Sequence, residues 1–84
     1  MLRLLYFASV REAIGVGEEL LDAPPEAATV SALIDWLQTV SPAHHTAFVD
    51  RARLRAAVDG HFVPLDAELG EPKEVALFPP VTGG

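Results

Sequence analysis

The sequence contains no cysteine and few basic residues, and both absences narrow its possible functions. Without cysteine it has no disulfide, no thiolate metal site and no cysteine nucleophile. Six lysine and arginine residues stand against twelve acidic residues, which gives a formal net charge of −6. Nucleic-acid binding is therefore not expected, because phosphate neutralisation supplies most of that affinity. Partners with basic surfaces are favoured instead.

Long hydrophobic runs are missing as well. No apolar run is long enough to span a bilayer, and Met1-Leu2-Arg3 leads into strand-like sequence without the apolar segment of a signal peptide. We therefore expect a cytoplasmic protein that does not associate with membranes. Of the 84 residues, 50% are hydrophobic and 21% are charged, which is the composition of one small globular domain.

Short apolar or β-favouring runs predict strands over residues 2–8, 18–22, 53–59, 61–65 and 74–78, of which the first is apolar on both faces and the third alternates. Asp59-Gly60 is a strong signal for a hairpin between the third and fourth strands, which must then be antiparallel. The helix between the second and third strands permits a parallel crossover, so the sheet should be mixed. The predicted fold is α+β, with a mixed four- to five-stranded sheet packed on one main helix.

The main helix is predicted from Val30 to about Val40, because its apolar residues recur with a period of 3.6 and Thr29 is a good N-cap. A short first helix should start with a capping box formed by Ser9 and Glu12 and end at Gly15. Ser41-Pro42 indicates a new helical start, and the segment that follows it, to Ala52, is more weakly helical.

Side chains with catalytic or metal-binding potential are sparse. His44 and His45 are adjacent, so they diverge around a helix and cannot bind one metal ion together. Both are expected on the polar surface, as are His61 and the Glu18-Glu19 pair. No metal site and no catalytic side chain is predicted.

A cluster of three arginines, Arg51, Arg53 and Arg55, follows a long segment without basic residues. One interpretation is that they pair with nearby acids or lie on the outer face of an edge strand, where they would discourage aggregation. The other is a docking patch for a partner. The sequence does not separate the two.

The segment Phe78-Pro79-Pro80-Val81-Thr82-Gly83-Gly84 is the most informative part of the chain. Two prolines stop strand pairing and stiffen the exit from the last strand. Gly-Gly can enter a tunnel too narrow for a Cβ atom, and it presents the main-chain carboxylate of Gly84. We predict a domain over residues 1–78 and a functional tail over residues 79–84. A frayed chain end is the alternative interpretation.

Residues 75–84, V-A-L-F-P-P-V-T-G-G, closely resemble the C-terminus of the small subunits of molybdopterin synthase, a family of ubiquitin-like sulfur carriers. Residues 6–15, Y-F-A-S-V-R-E-A-I-G, are similar to the first strand and helix of that family, and residues 56–60 match more weakly. The resemblance covers the whole chain and implies a ubiquitin-like β-grasp fold. The chain departs from the family pattern at Asp59, where asparagine is usual, and at Pro72-Lys73 in the turn before the last strand.

The resemblance also implies a chemical role for Gly84. An ATP-dependent adenylyltransferase, similar to ubiquitin-activating enzymes, would adenylate its carboxylate, and a sulfur donor protein would supply the sulfur of a terminal thiocarboxylate. The tail, with Gly83, Thr82, Val81, Pro80 and Pro79, would then enter the large subunit of the synthase and donate sulfur to cyclic pyranopterin monophosphate. This step forms the molybdopterin dithiolene in molybdenum cofactor biosynthesis and consumes two carriers for each product.

On this account the chain is no enzyme by itself and binds no cofactor. Catalytic residues are expected on the large subunit, in a heterotetramer of two small and two large subunits, and ATP is used by the activating enzyme. Phe78, Phe7 and Arg11 are the candidate partner-binding residues, because buried aromatic residues commonly anchor such contacts. The other roles considered are a place in the core for the phenylalanines and a local ion pair for Arg11.

Three other functions stay open on the sequence. The first is a related sulfur carrier for thiamine, cysteine or tRNA thiolation, which would share the fold and the Gly-Gly end. The second is a ubiquitin-like protein modifier that forms isopeptide bonds through Gly84. The third is a β-grasp interaction module with an inert tail.

Overall fold

Residues 1–80 are described by the structure, a computed structural model. Five strands run in chain order as β1 (Leu2–Tyr6), β2 (Glu18–Leu21), β3 (Arg55–Val58), β4 (His61–Val63) and β5 (Glu74–Phe78). Three helices, α1 (Ala8–Ile14), α2 (Val30–Leu37) and α3 (Pro42–Ala47), and a 3₁₀ turn at Arg51–Arg53 complete the fold. None of the helices in this part of the chain has the length and apolar character needed to cross a membrane.

The strands form one mixed sheet in the order β2-β1-β5-β3-β4. β1 and β5 are parallel, with Arg3 opposite Glu74 and Tyr6 opposite Leu77, and the other neighbours are antiparallel. The predicted mixed sheet is therefore confirmed. The strand that leads to the tail lies in the middle of the sheet and is paired on both sides.

One face of the sheet packs on the helices and carries the core. Four of the five residues predicted to form the apolar face of α2 are completely buried, namely Val30, Leu33, Ile34 and Leu37, and the fifth, Val40, is not. Burial of such side chains stabilises the fold by about 1.5–3 kcal/mol each, so packing holds this eight-residue helix in place. The other core residues are Leu4, Tyr6, Val10, Phe48, Leu54, Ala56, Val75 and Leu77.

Helix α1 begins earlier than predicted, and the capping box at Ser9 and Glu12 is wrong. The N-cap is Phe7, which makes no side-chain capping bond, and Ser9 lies inside the helix. The reason is that β1 passes into α1 through a sharp turn at Ala8, which has a left-handed φ of 51°. Such a conformation costs a non-glycine residue about 1–2 kcal/mol. The predicted end of the helix at Gly15 is confirmed, with a φ of 96°.

The caps of the other helices agree with the sequence. The Thr29 hydroxyl accepts a hydrogen bond from Ala32 N at 3.1 Å, and the Ser41 hydroxyl accepts one from His44 N at 3.2 Å. Helix α2 ends at Leu37, before the predicted Val40, which is 38% exposed.

The predicted hairpin at Asp59-Gly60 is confirmed between β3 and β4. Both residues have positive φ, 48° and 85°, as a two-residue type I′ turn requires. The Asp59 carboxylate also accepts hydrogen bonds from Lys73 N at 2.9 Å and Glu74 N at 3.0 Å. Asp59 therefore joins the hairpin to the start of β5.

We expect Asp59→Ala to destabilise the fold by about 1–3 kcal/mol, because alanine is strained at this φ and two N–H donors lose their acceptor. Asp59→Asn keeps an acceptor oxygen and tolerates the left-handed conformation, so it should cost less than about 1 kcal/mol. Urea denaturation of both variants tests this. Equal losses from the two substitutions would contradict the role given to the carboxylate oxygen.

A buried polar cluster joins β1, β2 and α3, contrary to the expectation that His44 and Glu19 are surface residues. The Tyr6 hydroxyl donates to Glu19 Oε1 at 2.9 Å, and His44 Nε2 donates to the same oxygen at 2.6 Å. Ser41 Oγ lies 2.7 Å from His44 Nδ1. Pairing of Glu19 with Leu4 turns its side chain to the core face, and α3 covers it, so His44 is only 5% exposed. The cluster therefore joins these three elements through side-chain hydrogen bonds.

Tyr6 should make the stability of the protein fall in alkali. Burial raises the pKa of Tyr6 far above its usual value of 10.0, and the hydrogen bond to Glu19 and the charge of that carboxylate raise it further. Because the unfolded chain ionises near pH 10 and the folded chain does not, the stabilisation is complete below that pH and is lost above it. We expect about 1.4 kcal/mol to be lost for each pH unit above about 10.

Absorbance of tyrosinate, followed together with circular dichroism, measures this effect because Tyr6 is the single tyrosine of the chain. Ionisation should appear only with alkaline unfolding. Tyr6→Phe is the control, and its stability should lack this part of the pH dependence. A tyrosinate signal with a midpoint near pH 10 in the folded protein would contradict the prediction.

Candidate functional site

The exit of β5 is the structural feature that bears most directly on the predicted tail. Phe78 is the last strand residue and pairs with Arg55 of β3, and the partly buried Pro79 and Pro80 follow it outside the sheet. The other predicted tail residues, Val81, Thr82, Gly83 and Gly84, lie outside the described residues. Their roles, and the division of the chain after residue 78, stay predictions.

Three phenylalanines, Phe7, Phe62 and Phe78, lie side by side at this exit, and we call them the aromatic corner. The ring centres of Phe7 and Phe78 are 6.5 Å apart, and those of Phe62 and Phe78 are 5.8 Å apart, both in edge-to-face geometry. Phe62 is 82% exposed and Phe7 is 49% exposed. Exposed apolar clusters commonly mark interaction sites, so the corner is a candidate docking surface.

Strand pairing explains why the three rings meet. Phe62 lies opposite Ala57 in the hairpin, and Phe78 lies opposite Arg55, so both side chains project from the outer face of the sheet. Phe7 N donates to Leu77 O at 3.3 Å, which holds Phe7 beside the end of β5. A shallow groove of about 230 Å³ crosses β3 from β4 to β5 and is lined by Arg55, Ala56, Phe62, Val63 and Phe78.

The structure brings two of the predicted partner-binding residues, Phe7 and Phe78, into direct contact, and both lie outside the buried core cluster. Arg11 is exposed on α1, four residues after Phe7, and its Nε lies against Gly17. Within residues 1–80 Arg11 forms no ion pair, so the local pairing considered from the sequence is not observed there. The partner-binding roles of all three residues stay predictions.

Phe62 is the residue that the sequence interpretation missed. The signal was present, since the Asp59-Gly60 turn sets Phe62 opposite Ala57 and therefore on the face opposite Ala56. Its exposure follows from that register, and so does its contact with Phe78.

Arg51 and Arg55 have different roles, and Arg53 is exposed in the 3₁₀ turn. Arg51 forms an ion pair with Asp35 at 2.8 Å and donates to Ser31 Oγ at 3.0 Å, so it holds the 3₁₀ turn against α2, as the local-pairing interpretation supposed. Arg55 lies in β3, which is an interior strand, so the edge-strand interpretation is wrong for it. Its guanidinium donates to Leu54 O at 2.9 Å and lies beside the groove of the aromatic corner.

Metal-binding geometry is not found in the described part of the chain. No group of three or more histidine, aspartate or glutamate side chains within residues 1–80 is placed to hold a metal ion. The feature that the structure shows at the end of β5 is the exposed aromatic corner.

Comparison with known proteins gives matches of full or nearly full length to both sequences and solved structures. A molybdopterin synthase sulfur carrier subunit from Escherichia coli (strain K12) is 38% identical over 84 residues, which cover 100% of both chains. A putative molybdopterin converting factor, subunit 1, from Pyrococcus furiosus is 31% identical, with a TM-score of 0.72 over 95% of this chain and 97% of that one. Small archaeal modifier protein 1 from Haloferax volcanii is 25% identical, with a TM-score of 0.71 over 95% and 97% of the two chains.

These matches confirm the ubiquitin-like β-grasp fold and the resemblance to molybdopterin synthase small subunits that the two ends of the sequence indicate. The model of the ThiS family matches residues 4–84, which is almost the entire chain. The protein therefore belongs to the ThiS family.

Proposed function

We propose that this chain is the sulfur carrier subunit of a molybdopterin synthase. The observation that carries the proposal is the aromatic corner, an exposed apolar surface beside the exit of β5. The names of the matched relatives support it, and the match to the Escherichia coli protein extends through the Gly-Gly residues. A firmly held strand that ends beside a docking surface suits a protein that presents its own chain end to a partner.

In the loading reaction, the Gly84 carboxylate attacks the α-phosphorus of ATP in the active site of an adenylyltransferase. Pyrophosphate leaves, and an acyl-adenylate forms. The terminal sulfur of a persulfide on a donor protein then attacks the activated carbonyl carbon, AMP leaves, and an acyl disulfide forms. A second thiol attacks the donor-side sulfur and breaks the S–S bond, which leaves a thiocarboxylate on Gly84 and a disulfide that joins the thiol to the donor. Neutral solution can deprotonate this group, unlike an alkyl thiol with a pKa near 8.5, so it is a good sulfur nucleophile.

In the transfer reaction, the thiocarboxylate enters the large subunit, and its sulfur forms a bond to a carbon of cyclic pyranopterin monophosphate as an oxygen substituent leaves that carbon. Water then hydrolyses the acyl–sulfur bond, which leaves the sulfur on the precursor and regenerates the Gly84 carboxylate. Two such transfers supply the two sulfurs of the dithiolene. The carrier contributes position and a nucleophile, and catalytic side chains belong to the large subunit. Two copies of each subunit would form the synthase.

The adenylyltransferase and the large subunit both receive the same tail, so we assign them one shared docking surface. Phe7, Phe62 and Phe78 supply its apolar part, and Arg11 and Arg55 supply positive charge on either side of the sheet exit. The net charge of −6 would assist encounter with basic partner surfaces, while the arginines favour carboxylates at the contact itself. The two partners should therefore bind in alternation.

Intact-mass measurement after incubation with the adenylyltransferase, ATP and a sulfur donor tests the proposal. We expect the mass increase of one oxygen replaced by sulfur, and formation of dithiolene product when the large subunit and precursor are added. A series of higher masses, from attachment of the chain to other proteins, would instead favour a protein modifier. The structural match to small archaeal modifier protein 1 is the reason to test for this outcome. An unchanged mass would favour an interaction module. Sulfur loading without dithiolene formation would favour another sulfur-transfer pathway.

A further inference from the structure

The sharp turn between β1 and α1 requires a left-handed φ at Ala8, but it does not require alanine there. Ala8 and Asp59 are the non-glycine residues with positive φ within residues 1–80. Asp59 is accounted for, because its hairpin turn requires this conformation and its carboxylate bonds to the start of β5. Alanine has no polar side chain that could offset the strain in the same way.

The methyl group of Ala8 contributes nothing to the core. Ala8 is exposed and does not belong to the core cluster or to the residues packed against it. Glycine would adopt the same backbone conformation without strain. The stability of residues 1–80 therefore gives no reason for alanine at this position.

The residues that surround this turn belong to the proposed docking surface. Phe7 precedes Ala8 and contacts Phe78, while its carbonyl oxygen accepts from Val10 N at 3.1 Å and Arg11 N at 3.3 Å. The φ of Ala8 thus sets the direction in which α1 leaves the sheet, and with it the position of Arg11 relative to Phe7. The left-handed region open to alanine is small, whereas the one open to glycine is broad.

We propose that Ala8 is a positioning residue for partner docking, whose methyl group confines the β1–α1 turn and so holds Phe7 and Arg11 ready for the adenylyltransferase. The inference rests on the proposed function. A docking surface that is already ordered loses less conformational entropy on binding and therefore binds more tightly. On this account the strain at Ala8 lowers the stability of the fold, and the ordered docking surface that it produces raises the affinity for the partner.

Ala8→Gly tests this inference because it should leave stability unchanged or raise it while it lowers the affinity for the adenylyltransferase. We expect its melting temperature to be equal to or higher than that of the wild type, because the strain is relieved. Its dissociation constant for the adenylyltransferase should rise roughly five- to tenfold, because the surface is less ordered. Hydrogen exchange of the Phe7 amide, which is bonded to Leu77 O, should become several times faster in the absence of any partner.

Two further variants separate positioning from other roles. Ala13→Gly places glycine at another exposed position of α1, so it should lower the melting temperature and leave the affinity unchanged. Ala8→Asn keeps a Cβ atom and suits a positive φ, so it should restore affinity close to that of the wild type.

The results that would overturn the inference are distinct from failure of the proposed function. An Ala8→Gly protein with wild-type affinity would overturn the role of Ala8 alone. Weaker binding without faster exchange at Phe7 would also overturn it, because the methyl group would then be a direct contact. A wild-type protein that does not bind the adenylyltransferase would overturn both proposals.

Discussion

A protein that lacks Gly84 should lose sulfur loading completely while keeping its melting temperature. The proposed chemistry occurs at the carboxylate of this residue, whereas the buried core lies between Leu4 and Leu77. Appending one residue after Gly84 should have the same effect, because it moves the carboxylate away from the position that the adenylyltransferase activates. Intact mass in the loading assay and thermal denaturation provide the two measurements.

The control in this experiment is binding of the adenylyltransferase, which should persist in both tail variants because the aromatic corner is unchanged. A protein without Gly84 that still formed dithiolene product would refute the carrier proposal. A fall in melting temperature would show that the last residue also contributes to the fold.

Phe78→Asp should weaken binding to the large subunit by at least ~2 kcal/mol, about a thirtyfold increase in the dissociation constant. The charge would lie in the middle of the aromatic corner, between Phe7 and Phe62, where docking would remove it from water. Leu20→Asp is the matched control, since Leu20 lies on the same outer face, in edge strand β2, and is 57% exposed. This control should bind normally.

Phe62→Asp keeps the docking hypothesis testable if Phe78→Asp unfolds. Phe62 is 82% exposed, so a charge there should leave the isolated protein folded and still weaken binding. Normal binding by Phe62→Asp and Phe78→Asp would place the docking surface elsewhere. Unfolding of Phe78→Asp alone would show that Phe78 also supports the fold.

Local chemistry explains which elements could be predicted from the sequence. The bounds of β5 at Glu74 and Phe78 agree with the prediction, because charged and proline residues limit an apolar run. The caps at Thr29 and Ser41 and the Asp59-Gly60 turn depend on side chains within a few residues of the backbone groups that they serve. Such features can therefore be predicted without knowledge of the rest of the fold.

The errors arose where distant segments decide the outcome. His44 resembled a surface residue because its partner Glu19 lies 25 positions away, and only the pairing of β1 with β2 turns that carboxylate inward. Helix α1 starts at Ala8 because a strained turn takes the place of the predicted capping box. The identity of the residues at this turn gives no sign of a left-handed conformation. For Phe7 the sequence left a partner-binding role and a core role open, and it did not predict the contact with Phe78.

The sheet cannot form until β5 has been synthesised, because β5 lies at its centre. β5 is the strand that joins the β2-β1 pair to the β3-β4 pair, so a chain that stops before Glu74 would leave two separate two-stranded units, which are rarely stable in water. During synthesis the sheet can close only after Glu74–Phe78 has been made, and the pairing of β1 with β5 is correspondingly slow and non-local. A partner that recognises the finished aromatic corner therefore meets chains made at least to Phe78, and nascent or truncated fragments do not compete for it.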